Sequence, residues 1–276
     1  MENKTNIYKI LCIILLIILI AVLSVWGYTT LVEKSAVDEY HKLQQSVNTA
    51  SGMANTADGQ STQEDTEKTT ADSTDISDTK EIPDIPQKNI NWDELKSINE
   101  DIYAWIYVPG TDIDYPVLQH PTDDSYYLSH NLDGSKGRPG CIYTEKANSK
   151  DFTDYNTIIY GHNMRSGAMF RTLHNFEDST VFDTDKYVYI YTQDKVFIYE
   201  IFAAYTSDAS HILYKYTFDS AEHMQSYLDD ALKQAVNNGY VRKDVNVTGE
   251  SAIVTLSTCT SDSSERYLVQ AVLINE

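Results

Sequence analysis

The chain has 276 residues, of which 42% are hydrophobic and 11% aromatic, and its formal net charge is −20. This length allows one large domain or two small ones, and the acidity excludes a general nucleic-acid binder, because neutralising phosphates requires clustered Lys and Arg. The three cysteines, Cys12, Cys141 and Cys259, are too few for a disulfide framework, and no spacing among them is typical of a zinc site.

An uncharged, proline-free apolar run occupies residues 10–26. As a helix extended to Tyr28, it would span about 27 Å, close to the ~30 Å hydrocarbon core of a bilayer. A cleaved signal peptide is the alternative, but its apolar region is usually shorter, about 7–15 residues, and is followed by a small-residue cleavage site. We therefore predict a membrane-spanning signal anchor over 10–28.

Two lysines set the predicted orientation of this anchor. Lys4 and Lys9 precede the apolar run, and positive charge favours the cytoplasmic side of a membrane. Residues 1–9 are therefore predicted to be cytoplasmic and everything after Tyr28 to be exported. This predicts a single-pass protein of the cell membrane with an extracellular domain.

Residues 29–90 are predicted to form an acidic, disordered tether. The part 33–40 could extend the helix, but no Phe, Trp or Tyr occurs between Tyr40 and Trp92. So little apolar surface cannot offset the entropy cost of ordering the chain. Random-coil scaling gives such a segment a reach on the order of 40 Å.

Residues 91–276 are predicted to form one mostly-β catalytic domain. Asn91 is a plausible helix cap, with Glu94 at capping-box spacing, so the domain should open with a short helix. Short aromatic and β-branched runs follow, separated by polar loops, which favours a barrel or a sandwich. The eight predicted strands are 104–108, 114–118, 140–143, 157–160, 187–192, 195–206, 251–257 and 267–274.

Three further elements are predicted from local patterns. The fifth and sixth strands form a tight hairpin across Gln193 and Asp194. An amphipathic helix lies between strands six and seven, capped by Asp219 or Ser220 and ended by Gly239. A shorter helix is expected at 168–175.

Cys259 is the candidate nucleophile, because it ends a predicted strand just before a Ser/Thr/Asp-rich loop. A free thiol in an exported domain is prone to oxidation, so its retention favours a function. A buried structural cysteine is the alternative. Cys141 lacks polar, catalytic-looking neighbours in the sequence, and we expect it to fill the core, although a Cys141–Cys259 disulfide stays open.

A cysteine nucleophile needs a base and an oxyanion donor. His162 follows directly on a buried-looking strand, so it reaches the rim of the predicted barrel. Arg266 begins the last strand and would return beside Cys259 if the last two strands pair antiparallel. A salt bridge from Arg266 to Glu265 or Asp262 is the alternative.

These motifs together resemble the sortases, the membrane-anchored cysteine transpeptidases of Gram-positive bacteria. The resemblance covers roughly residues 92–274 and is carried by TLSTC at 255–259, IIYGHNM at 158–164 and the Arg that opens the last strand. Among the sortases, the sequence is most similar to class B. Three features indicate this class: the helix between strands six and seven, the short helix that begins after Asn91, and the segment that contains Met169, Phe170, His174 and Phe176.

The resemblance implies an eight-stranded β-barrel in which Cys259 attacks the Thr–Gly or Thr–Asn bond of an NPxTx- or LPxTG-like sorting signal. His162 would protonate the leaving amine, Arg266 would hold the oxyanion, and Tyr160 and Ser257 would contact the signal. Surface proteins carrying that signal are then the substrates, and a peptidoglycan cross-bridge or a pilin amine is the acceptor. The resemblance implies no metal and no other cofactor for this chain.

Two other functions remain open from the sequence. A papain-like cysteine hydrolase would place Cys before His and carry Cys on a helix, whereas here His162 precedes Cys259 and both follow strands. A non-enzymatic anchored β-domain that binds a surface ligand would bury Cys259 as an unreactive residue.

Overall fold

The computed structural model describes residues 2–53 and 82–275. The helices are α1 (Glu2–Met53), α2 (Trp92–Ile98), α3 (Tyr126–Ser129), a 3-10 helix (Arg171–Glu177), α4 (Ser179–Thr184), α5 (Ile212–Lys215) and α6 (Ala221–Asn238). The strands are β1 (Ile102–Tyr107), β2 (Asp114–Leu118), β3 (Ile142–Tyr143), β4 (Asn156–Tyr160), β5 (Tyr187–Tyr191), β6 (Val196–Asp208), β7 (Gly239–Val241), β8 (Ile253–Cys259) and β9 (Glu265–Leu273).

Eight of the strands in the described ranges close into a barrel. The order around it is β5-β1-β2-β3-β4-β8-β9-β6, and a β5–β6 pairing closes the ring, with β7 attached to the edge of β6. The β2–β3 and β4–β8 pairs are parallel, whereas the other pairs are antiparallel. The predicted eight-stranded barrel with peripheral helices is confirmed.

The predicted amphipathic helix is α6, which packs outside the barrel through one apolar face. Met224, Leu228 and Ala235 are buried against β6, whereas Val236 is 66% exposed. Ser220 caps the helix by accepting a hydrogen bond from the backbone N–H of His223. The helix ends at Gly239, which turns directly into the extra strand β7.

The predicted helix at 168–175 differs from the structure by a shift along the chain. The 3-10 helix begins at Arg171 because Met169 has a φ of 60°, which is incompatible with a right-handed helix. The backbone N–H of Met169 instead donates to the hydroxyl of Tyr115 at 3.1 Å. The polypeptide therefore turns sharply against β2 before the helix starts.

The N-terminal helix continues well past the apolar run and docks on the barrel. A stripe of side chains at helical spacing is buried against the domain, namely Ala36, Tyr40, Leu43 and Val47. The hydroxyl of Tyr40 donates to the carbonyl of Gly140 at 2.9 Å and contacts the sulfur of Cys141 at 3.2 Å. The hydroxyl of Tyr40 therefore fixes the helix to the barrel.

The segment that leads back into the barrel meets the helix at the same place. The backbone N–H of Asn89 donates to the carbonyl of Val47 at 3.2 Å. The ammonium group of Lys88 contacts Asn48 at 2.8 Å and the carboxylate of Asp114 at 2.7 Å. The segments on either side of residues 54–81 therefore meet against β2.

The structure thus differs from the predicted tether over 29–90. Residues 29–53 are helical, residues 82–90 lie against the helix and the barrel, and 54–81 lie outside the described residues. The eight positions from Tyr28 to Ala36 correspond to about 12 Å of helix. The barrel therefore lies near the end of the apolar run. The sequence did not predict this contact because the segment is polar overall and contains only one apolar helical stripe.

Replacing Tyr40 tests this docking. Tyr40→Phe keeps the ring but removes the hydroxyl that pairs with the buried Gly140 carbonyl, so we expect the free energy of unfolding to fall by about 1–3 kcal/mol. Denaturant titration of the full chain in detergent micelles measures it. Tyr28→Phe, at a ring that is 70% exposed, is the matched control and should change little. Equal stability of the two variants would show that the helix does not dock.

Candidate active site

The parallel pairing of β4 and β8 brings the two candidate catalytic residues to one rim. Tyr160 pairs with Ser257 at the last register position of the two strands. His162 and Cys259 each lie two residues further along, and parallel strands end at the same edge of a sheet. Beyond the ladder, the N–H of Gly161 donates to the carbonyl of Ser257 at 3.2 Å.

Gly161 permits this close approach because it has no side chain. A Cβ placed there would lie 2.5 Å from Ile142 and 2.6 Å from the ring of Phe170, which is too close for any other residue. Its carbonyl accepts a hydrogen bond from the hydroxyl of Thr258 at 2.8 Å. Glycine is therefore required at this position for space.

Arg266 lies directly opposite Cys259 in the antiparallel β8–β9 ladder, as the sequence predicts. Its guanidinium donates to the backbone carbonyls of Ser263 at 3.2 Å and Glu265 at 2.7 Å. Among the described ion pairs, none joins Arg266 to the side chain of Glu265 or Asp262. The carbonyl contacts hold the guanidinium at the rim of the barrel.

All five residues singled out from the sequence line one groove of about 390 Å³. They are Tyr160, His162, Ser257, Cys259 and Arg266. Leu128 and Ile212 add apolar surface from two different connections, and Leu268 adds it from β9. A concave, partly apolar groove with few convergent polar groups is the usual form of a substrate site.

The ring of His162 is held by the wall of the groove. Its Nε2 lies 2.7 Å from the backbone carbonyl of Leu128, so this nitrogen carries a proton and donates it. Burial lowers the pKa of His162 below 6.5, because desolvation disfavours the charged ring more strongly than the Leu128 carbonyl stabilises it. Arg138 lowers the pKa further. The folded protein therefore favours the neutral imidazole.

The two cysteines of the domain have opposite environments. Cys259 is partly exposed in the groove, whereas Cys141 is buried beside the hydroxyl of Tyr40. Burial raises the pKa of Cys141 to about 12, so this thiol stays protonated and unreactive. Both cysteines are free, and Cys141 belongs to the core, as expected.

Sequence reasoning missed a carboxylate–imidazole pair in the same groove. The Nε2 of His211 lies 2.8 Å from the carboxylate of Glu145, and both residues line the groove. Burial raises the pKa of Glu145, although the bond to His211 opposes the shift. Within the described residues, the hydroxyl of Tyr160 and the Nδ1 of His211 are buried without a hydrogen-bond partner.

One signal in the sequence could have pointed to His211. It lies in the connection between the longest strand and a short helix, at the rim where the other groove residues end. Its partner Glu145 lies just beyond β3, far away along the chain. Only the closed barrel brings the two together.

In the part of the chain that is described, no group of three or more His, Cys, Asp or Glu side chains could hold a metal ion.

Comparison with known proteins identifies related chains. The family described as "Sortase domain" matches residues 106–274. Sortase B of Listeria monocytogenes is 34% identical over 189 residues, which cover 66% of this chain and 74% of the relative. Sortase B of Staphylococcus aureus is 30% identical over 186 residues, with the same shares of 66% and 74%.

Solved structures show the same similarity. The crystal structure of Clostridium perfringens sortase B has a TM-score of 0.60 and 32% identity, covering 67% of this chain and 100% of the other. The Staphylococcus aureus sortase B–substrate complex has a TM-score of 0.59 and 29% identity, covering 67% and 84%. The fold of the barrel domain therefore recurs in these relatives.

The lowered pKa of His162 predicts a pH dependence of stability. As pH falls below about 6.5, the unfolded chain binds a proton at His162 before the folded protein does, so folding weakens until the folded pKa is passed. His162→Gln removes this contribution. Thermal unfolding of both proteins between about pH 7.5 and 5 should therefore show the wild type losing stability relative to His162→Gln on acidification. If the difference in melting temperature between wild type and His162→Gln does not change with pH, the pKa of His162 is not lowered in the folded protein.

Proposed function

The chain belongs to the sortase family and, as its sortase B relatives indicate, is a cysteine transpeptidase; we propose that it cleaves an NPxTx- or LPxTG-like sorting signal through a thioacyl intermediate on Cys259. The observation that supports this best is the parallel β4–β8 pairing, which delivers His162 and Cys259 to one groove. Arg266 enters the same groove from β9. This order and placement disfavour a papain-like hydrolase.

In the first half-reaction, the sulfur of Cys259 attacks the carbonyl carbon of the signal's Thr residue. The C–N bond to the next residue then breaks, and His162 in its protonated form gives a proton to the leaving amine. The products are a thioester on Cys259, the released C-terminal peptide and a neutral His162. Burial lowers the pKa of His162 and so disfavours the protonated form that this step requires.

In the second half-reaction, an amine attacks the thioester carbonyl. Neutral His162 accepts the proton that the amine loses, and the sulfur of Cys259 leaves as thiolate. The new amide joins the surface protein to the acceptor, and the enzyme returns to its starting state. We propose a peptidoglycan cross-bridge or a pilin amine as the acceptor, as the family resemblance implies.

Arg266 is the proposed oxyanion donor in both half-reactions. Each attack places negative charge on the carbonyl oxygen, and a guanidinium offers fixed donors to that oxygen. Its position opposite Cys259 in the ladder supports the role. Two backbone carbonyls bind the same guanidinium, which restricts its movement.

The proposed signal-binding surface is the floor of the groove beside Cys259. Tyr160 and Ser257 are register partners there and line the groove. The similar Staphylococcus aureus structure is a sortase B–substrate complex, which supports substrate binding by this chain as well. Replacing Tyr160 by Ala should raise KM for a signal peptide, and an unchanged KM would remove it from the binding surface.

We place this activity on the outer face of the cell membrane. The long N-terminal helix has a window of mean hydropathy 2.8 whose side chains are not buried in the fold, which fits a membrane anchor or a signal sequence. The lysines before the run favour a cytoplasmic N-terminus.

Protease added to intact cells should cut beyond residue 53, and complete protection of the barrel would contradict this orientation.

Cysteine replacement tests the nucleophile. Cys259→Ala should abolish cleavage of a signal peptide with little change in melting temperature, because the side chain is partly exposed and leaves a small void. Cys141→Ala should keep activity but lower the melting temperature, because Cys141 is buried and removing its sulfur leaves a cavity. A fluorogenic signal peptide measures turnover. An active Cys259→Ala enzyme would assign the chemistry to another residue.

Lysine at position 266 tests the oxyanion role. A lysine keeps the charge but not the planar fork, so Arg266→Lys should lower kcat by about 10²–10³-fold, as expected for the loss of one oxyanion donor. The thiol of Cys259 should still react with a small alkylating agent. Near-normal kcat would leave the oxyanion to backbone amides, and a loss that tracks melting temperature would indicate a structural role.

A further inference from the structure

A hydrogen-bond network reaches the backbone carbonyl of Cys259 from the chain segment that follows His162. The side-chain nitrogen of Asn163 donates to the backbone carbonyl of Cys259 at 2.8 Å. The Nε2 of His174 lies 3.0 Å from that same nitrogen and 3.1 Å from the Cys259 carbonyl. Asn163 directly follows His162 in the chain. The network therefore joins the neighbour of the candidate acid–base to the nucleophile's own backbone.

The partners of Asn163 fix the direction of its side-chain amide. The guanidinium of Arg171 donates to the side-chain oxygen of Asn163 at 3.0 Å, so the Asn163 nitrogen faces Cys259 and His174. The carboxylate of Glu177 lies 2.6 Å from the Nδ1 of His174 and accepts its proton. The Nε2 of His174 then accepts the second N–H of Asn163, so the 3.1 Å from Nε2 to the Cys259 carbonyl is a contact between two acceptors and not a hydrogen bond. Both N–H groups of the Asn163 amide are therefore paired.

The ring of His174 is held from the other side by an aromatic contact. It stacks on Tyr267 with ring centroids 4.9 Å apart and an interplanar angle of 24°. Tyr267 is the ladder partner of Thr258, the residue before Cys259. The side chain of His174 is only 15% exposed. The 3-10 helix therefore braces the end of β8 through a fixed ring.

The two catalytic candidates need such a brace because they lie beyond their shared ladder. The last register pair of β4 and β8 is Tyr160 with Ser257, and both His162 and Cys259 follow it. Regular strand pairing cannot fix the distance between side chains at that point. A misplacement of about 1 Å between reacting groups can cost on the order of 10²-fold in rate.

We propose that Asn163 and His174 are positioning residues that fix the carbonyl of Cys259 against the His162 loop and thereby hold thiol and imidazole in reacting geometry. Neither touches the substrate in this scheme. Asn163 supplies the direct bond, and His174 orients the Asn163 amide. The proposal rests on the transpeptidase chemistry proposed above.

The test compares four variants of the full chain in detergent micelles. Asn163→Ala removes the bond to Cys259, and His174→Phe keeps a ring for Tyr267 but removes Nε2. His174→Gln places an amide near the Nε2 position and should restore the network. Asn175→Ala is the matched control, because Asn175 lies on the same 3-10 helix but is exposed and contacts Gly110.

Turnover of a fluorogenic signal peptide gives the first readout. We expect kcat to fall about 10–100-fold in Asn163→Ala and His174→Phe, with KM changed less than about 2-fold, while His174→Gln and Asn175→Ala stay within about 3-fold of wild type. Melting temperatures should not follow this order. Wild-type kcat in Asn163→Ala, or equal losses in His174→Phe and His174→Gln, would overturn the proposal.

Alkylation of Cys259 by iodoacetamide, followed by peptide mass mapping, gives a second readout that needs no substrate. The rate should fall in Asn163→Ala and not in Asn175→Ala, because the thiol loses its alignment with His162. Equal alkylation rates would overturn the positioning role. If the wild type cleaves no sorting peptide, the proposed function fails, yet the alkylation comparison still decides the role of Asn163.

Discussion

The parallel pairing of β4 with β8 is the constraint on which the active site depends. Five consecutive register pairs hold these strands together, from Asn156 with Ile253 to Tyr160 with Ser257. Parallel strands finish at the same edge, so whatever follows them must meet there. Strand β9 adds Arg266 to this rim, and the connection between β2 and β3 adds the carbonyl of Leu128, which holds His162. The order and direction of the strands therefore place His162, Cys259 and Arg266 at the same rim of the barrel.

The N-terminal helix connects the apolar run directly to the barrel. One helix contains both the exposed apolar run and the stripe that is buried against the barrel. Tyr40 and Lys88 secure this contact from the two chain segments that meet there. The distance between the apolar run and the barrel is thereby set by a helix of fixed rise.

Much of the fold and the site could be predicted from the sequence because the signals are local. Strand ends mark Cys259 and His162, and the spacing from Cys259 to Arg266 implies their pairing. The docking of residues 36–47 was missed because its apolar stripe is sparse within a polar segment. His211 and Glu145 were missed because their contact depends on barrel closure. The requirement for glycine at position 161 was also not predictable, because it comes from the close approach of Phe170 in the folded barrel.

The covalent intermediate can be observed directly by intact-mass spectrometry of the full chain mixed with a sorting-signal peptide and no added amine. A thioester mechanism predicts a mass increase equal to the acyl part of the peptide, mapped to Cys259 and lost when hydroxylamine or an acceptor amine is added. Peptide cleavage without any adduct, or an adduct on a residue other than Cys259, would contradict the assignment of Cys259 as the transpeptidase nucleophile.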